Sequence, residues 1–252
     1  MHLDDEALEQ AQRNADHAEA RRILSTISIR DVDTLISVSK YWCAVDALQL
    51  VVSVDAWRDP WCSDALTKQA AGLLEEAVVS REDAMYILTQ YIRPIFRTQN
   101  KAVWDDEAPM WTSTRAVQGH VPLGCHNVLA WLMSRLGPVW DEAWPLVIPP
   151  IMTWLDASMP QAKICGACTA YLLVRYAPRT LLSRAGIDRL LEASLTRMLS
   201  FMTDAQDGPM ILSAALQARL AIVSRRPVDD QFEGQCTLFS ETVLTALSYR
   251  SE

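Results

Sequence analysis

Two cysteines three residues apart, in Cys165-Gly-Ala-Cys168, form the most reactive-looking pattern in this 252-residue chain. A C-x-x-C pair can run thiol–disulfide exchange or supply half of a zinc site. Redox pairs usually sit at a helix N-terminus after a strand, where the macrodipole lowers the thiol pKa. Here the pair falls inside an apolar helical run, on a face shared with Leu172. A four-ligand zinc site needs two further donors, and Cys125–His126 is the other close pair of donors. The pattern favours buried core thiols over metal binding, and metal binding over redox chemistry.

The remaining candidates are thinner. His2 and His17 lie in a polar lead-in, while His120 and His126 flank a helix start, where a cap or a surface role suffices. Asp105-Asp106-Glu107 offers carboxylates to a cation, but a run of like charges is more often a solvated loop. A helical terpene-cyclase-like site needs its acidic motif near the end of an apolar helix, and this run follows Pro94 and a polar stretch. No serine stands in a nucleophile-elbow context, and no glycine-rich loop can cradle phosphate. The sequence therefore assigns no catalytic residue, no metal site and no cofactor.

Any such site must be held by helices. Half the residues are apolar, only eight are glycine, and β-branched residues rarely run together. The net charge is −8, with the basic residues dispersed, which argues against gripping nucleic acid. No apolar run approaches the roughly 20 residues that span a bilayer, and Asp4, Asp5 and Glu6 oppose a signal peptide. A cytoplasmic or nuclear address is expected, with the six cysteines reduced.

The whole chain, 1–252, reads as one helical-repeat domain. Residues 1–25 are a polar lead-in. Residues 31–54 read as a helix with Leu35, Val38, Trp42, Val45 and Leu48 on one side. A connector ends at Ser63, which can cap the next helix, carrying Leu66, Ala70, Leu73, Leu74 and Ala77. Ser80-Arg-Glu-Asp83 has capping-box spacing and opens a helix that should kink or end near Pro94. Residues 98–121 read as a long loop. After Pro122 helical order resumes through Leu136, and Gly137-Pro138 ends it. Ile187, Leu190, Leu191, Leu195, Met198 and Met202 form a stripe, and Met210–Val223 is apolar on most sides. The last helix carries Phe232, Cys236, Phe239, Val243 and Leu247.

Helices joined by short Pro- and Gly-marked turns point to an α-solenoid of stacked, HEAT-like hairpins. The best hairpin runs from Trp144 to Tyr176. Pro149 and Pro150 bend its first helix, so that stacked repeats curve. Asp156 falls where such hairpins hydrogen-bond the turn, Lys163 can pair with an equivalent acid, and Gly166 lets the two helices approach closely.

This hairpin, with Pro149-Pro150, Leu155-Asp156, Lys163 and Gly166, continues into Leu181-Leu-Ser-Arg184-Ala-Gly186. In that order the residues resemble fungal members of the Tel-two-interacting protein two family. The resemblance is firmest over residues 140–226, is weak over 101–138, and is not seen upstream. It implies a non-catalytic scaffold subunit of the TTT complex, an armadillo-like helical assembly. Its implied partners are larger α-solenoid subunits and, indirectly, heat-shock chaperone machinery and phosphatidylinositol-3-kinase-related kinases, which the complex matures and stabilises. A HEAT-like adaptor with another client, or a metal-binding protein using the C-x-x-C region, is the alternative.

Nine tryptophans complete the reading. Trp57, Trp61, Trp104 and Trp111 fall in predicted connectors, where an exposed Trp is a frequent interface hot spot. They are candidate partner contacts, or else staples that hold loops to the solenoid edge.

Overall fold

Ser63 shows how local chemistry starts an element. Its side chain accepts from the Leu66 amide at 3.4 Å and opens a helix over Asp64–Glu75. Ser80 and Asp83 do the same reciprocally at Arg81–Tyr86, forming the expected capping box with Asp in place of Glu. The computed structural model describes residues 3–48, 59–96, 124–184, 186–199 and 208–240. Among the described residues it is helix and turn, with no strand. Twelve α-helices follow in order: α1 Leu3–Arg13, α2 His17–Leu24, α3 Val32–Ser39, α4 Asp64–Glu75, α5 Arg81–Tyr86, α6 Cys125–Met133, α7 Trp140–Asp156, α8 Pro160–Tyr176, α9 Arg179–Arg184, α10 Ile187–Leu199, α11 Gly208–Ser224 and α12 Val228–Phe239.

These helices stack as a solenoid. One row is α5 with its continuation, then α7, then α10; the other is α6, α8 and α11. Each member of a row packs on the next, and the rows pair as α5–α6, α7–α8 and α10–α11. α12 closes the stack by packing on α11, while α1 to α4 form the other end and join it through α3 on α6. The centre is α8. It is buried from Ala162 to Ala170 with Lys163 included, because α6, α7 and α11 surround it.

Several expectations are corrected. The polar lead-in is two packed helices, because Leu8, Ala11, Ala20, Ile23 and Leu24 are few but correctly spaced and all buried. Glu9 pairs with the buried Lys40 at 2.6 Å, and Tyr41 Oη donates to the Leu8 carbonyl at 3.2 Å, tying α1 to the end of α3. The helix read over 31–54 stops at Ser39, and a short 3-10 turn follows at Ala44–Ala47. Ahead of Pro94 the helix changes type. The chain widens into a π-helix over Ile87–Ile92 and remains helical through residue 96, which accommodates a residue with no N–H. Helix α6 ends at Met133, before Gly137-Pro138, which instead forms a 3-10 turn leading directly into α7. Leu190 is exposed, since Leu191, Leu195 and Met198 define the buried face of α10. The predicted loop over 98–121 lies outside the described residues.

Candidate partner-binding surface

Cys165 and Cys168 sit in the middle of α8, at 5% and 0% exposure. Thr169 Oγ1 bonds back to the carbonyls of Cys165 and Gly166, at 2.8 Å and 3.0 Å, so the local backbone is fully engaged. Burial pushes the Cys168 and Cys125 thiols well above their ordinary range, and the neighbouring Cys165 sulfur adds to the effect. Among the described residues, no three His, Cys, Asp or Glu side chains are grouped so as to hold a metal ion.

The repeat positions fall at the joints of the central hairpin. α7 runs through Pro145, Pro149 and Pro150, and the Pro149 carbonyl accepts from Thr153 Oγ1 at 2.8 Å. Each proline removes one bond from the helical ladder, which is a sufficient cause of curvature. The turn from α7 to α8 spans residues 157–159. Asp156, just before it, bonds not to the turn but to Arg197 of α10 at 2.9 Å, linking one hairpin to the next across an exposed surface. Lys163 lies under the turn with Nζ 3.5 Å from the Leu155 carbonyl. Desolvation holds its pKa below the usual lysine value, with Asp156 opposing the shift.

Gly166 marks the tightest approach of α7 and α8. A Cβ there stands 2.6 Å from the Leu155 backbone nitrogen and 2.9 Å from the Trp154 carbonyl carbon. Gly186 has φ +63°, a left-handed conformation that lets α9 turn into α10. The second hairpin is then locked by Glu192 of α10. It receives the buried Arg219 at 3.2 Å and Arg226 at 2.6 Å, both from the chain around α11. Arg225 reaches back to the carbonyls of Arg175 and Ala177, closing the C-terminal end of α8.

Of the four connector tryptophans, Trp61 is 8% exposed and belongs to the buried core, so it staples its connector. Trp57, Trp104 and Trp111 lie outside the described residues.

Among the described residues, α12 carries a run of exposed apolar side chains. Gly234 and Leu238 seat this helix on α11; a Cβ on Gly234 meets Val223 at 2.9 Å. About 135° round the helix, Val228, Phe232 and Phe239 are 79%, 75% and 55% exposed, with the exposed Cys236 between them. Phe232, Cys236 and Phe239, which the sequence places on the last helix, are thus all exposed. Val243 and Leu247 lie outside the described residues. Two apolar faces compete on this helix, and the smaller one wins the core because its glycine allows the closer approach. Asp229 lies beside the open stripe and Glu233 farther round on the same side, and these acids were the available signal that this side faces outward. The stripe thus presents two exposed phenylalanines and a valine with Asp229 beside them, on the last described helix of the stack.

Comparison with known proteins matches residues 47–252 to the model of the Tti2 family. No curated protein and no solved structure matches the chain. The match extends well upstream of Trp140, into the part of the chain where the motifs alone show no likeness.

Proposed function

Because the chain belongs to the Tti2 family, we propose that it is a scaffold of the TTT complex that binds its partner through α12. All of 1–252 then acts as one helical-repeat domain of HEAT-like hairpins with no chemistry on a substrate. The partner is a larger α-solenoid subunit, and heat-shock chaperone machinery and phosphatidylinositol-3-kinase-related kinases are engaged through it, in the cytoplasm or nucleus. The observation that carries the reading is the stripe of Val228, Phe232 and Phe239, exposed on a helix whose other face is packed. Solenoids extend by adding a layer to their open end, and an apolar terminal face needs either a polar cap or a partner.

The chemistry of the stripe specifies the surface that fits it. It calls for an apolar groove with Lys or Arg along one edge, which meets the phenylalanines with its floor and Asp229 and Glu233 with that edge. Replacing Phe232 and Phe239 by Asp tests this. The double variant keeps its helix content and melting temperature but no longer co-purifies with larger solenoid subunits from cells. Unchanged recovery refutes the α12 interface. Failure of the wild-type chain to recover solenoid subunits or kinases refutes the TTT assignment itself.

A further inference from the structure

The corner between α8 and α9 meets the corner between α11 and α12 at a cleft of about 480 Å³. Val174 near the end of α8, Leu182 of α9 and Ile222 of α11 form its apolar wall, and all three are buried. Arg179 of α9 lines the same space, with Arg225 and Arg226 from the chain just after α11. Asp188, in the first turn of α10, is the carboxylate among the lining residues. Three guanidiniums therefore meet one carboxylate here, in a chain whose net charge is −8.

The three arginines are committed to different degrees. Arg226 donates to Glu192 at 2.6 Å, so its charge is balanced. Arg225 donates from one terminal nitrogen to the Ala177 carbonyl at 3.0 Å, and from the other to the Arg175 carbonyl. Those partners are neutral, so its charge is uncompensated, and only two of its five N–H donors are used. Arg179 is exposed, and its side chain makes no hydrogen bond or ion pair among the described residues. Burial, with the charge of Arg179 adding to it, holds the Arg225 pKa below its ordinary value. An anion seated between the two relieves that repulsion.

A carboxylate has two oxygens and is filled by one guanidinium fork. Two guanidiniums with no acid of their own suit a phosphate monoester, with three acceptor oxygens and a charge of about −2. The cleft has the volume of a ligand pocket and its wall is apolar, so the phosphate arrives attached to carbon. Pro227, an exposed lining residue, is the N-cap of α12 and leads directly into Val228 of the open stripe. A chain lying along that stripe continues into the cleft. We propose that this cleft is a phosphate-monoester pocket that takes a phosphoserine or phosphothreonine of a protein partner. Arg179 and Arg225 hold the phosphate, and Val174, Leu182 and Ile222 pack against the carbon beside it. The choice of a protein as carrier rests on the α12 reading; the pocket does not.

The test is a fluorescence-polarisation titration of the full chain at about 0.15 M salt, where exposed charges are screened beyond about 8 Å. The probes are a labelled peptide with one phosphoserine between leucines, and the same peptide with serine or glutamate there. Losing one charge-assisted contact costs about tenfold in affinity, so the phosphopeptide should bind about tenfold tighter than either control. Arg179→Ala should erase that preference with the melting temperature unchanged, since it removes no contact within the fold. Arg225→Lys, which keeps the charge and loses the fork, should weaken it. Arg93→Ala, at another exposed arginine outside the cleft, should leave it intact. The Phe232→Asp, Phe239→Asp double variant should also keep it, so failure of the α12 interface and failure of the pocket are read separately. Inorganic phosphate and inositol hexakisphosphate should displace the probe more weakly than unlabelled phosphopeptide does. Equal or stronger displacement by either makes the occupant a free anion and overturns the protein carrier. The pocket itself is overturned if the phosphopeptide has no preference, if Arg93→Ala lowers it as much as Arg179→Ala, or if the double variant abolishes it.

Discussion

Gly166→Ala and Gly72→Ala are the same substitution in the interior of a helix, and their stability effects should have opposite signs. Alanine is worth about 0.5–1 kcal/mol over glycine in a helix interior, because it loses less backbone entropy on folding. At Gly72, on the exposed side of α4, an added Cβ meets nothing within 4 Å, so the full gain is expected. At Gly166 the Cβ stands 2.6 Å from the Leu155 backbone nitrogen, where ordinary contact begins at 3.4 Å. α7 and α8 must separate by the difference, about 0.8 Å, and the obstacle is helix backbone that cannot rotate away. Overpacking of this kind costs about 1–3 kcal/mol, and with the helix gain subtracted the net loss is about 1 kcal/mol. For a chain of this size that lowers the melting temperature by about 2–4 °C, while Gly72→Ala raises it by about 1–4 °C. Urea unfolding followed by circular dichroism at 222 nm reads both, and equal slopes would show that the unfolded states are comparable. A Gly166→Ala chain as stable as the wild type would refute the close approach of the two helices.

The other expectations rest on separate joints of the fold. Asn127→Ala strips partners from the Ala44 amide, the Lys40 carbonyl and Asp59, and should cost about 2–4 kcal/mol in urea unfolding. Ser80→Ala removes the capping box of α5 and should cost about 1 kcal/mol, read in the same assay. Gly186→Ala should cost about 1 kcal/mol, and Gly186→Asn less, because the position is left-handed and asparagine tolerates that region better. His126 has a raised folded pKa, so its proton stabilises the fold fully below about pH 6.5 and less as pH rises through the folded value. Stability of the wild type relative to His126→Gln should therefore fall as pH increases above about 6.5, measured as the difference between their urea midpoints.

The legible parts of this protein are those written in short-range chemistry. Ser63 and the Ser80–Asp83 box name their own helix starts, because an N-cap bond closes over three residues. The α7–α8 hairpin is equally local: apolar spacing, a three-residue turn and Gly166 at the crossing identify two helices that must pack on one another. The solenoid class follows from repeating that unit. The family likeness is carried by the same hairpin and its continuation to Gly186.

What the sequence leaves open is decided by competition between faces and by contacts between distant segments. α12 carries two apolar sides, and periodicity cannot say which one meets α11; Gly234 and Leu238 take the core, and Phe232 is left outside. The polar lead-in packs because Tyr41 and Lys40 arrive from α3 to receive it. The pairing of His126 with Asp59 exists only because α6 and the connector before α4, far apart in the chain, converge at one point. Local bonding free energy is set by neighbours three or four residues away and can be read along the chain. Burial and electrostatic pairing depend on which surfaces stacking brings together, so only the tertiary structure decides them.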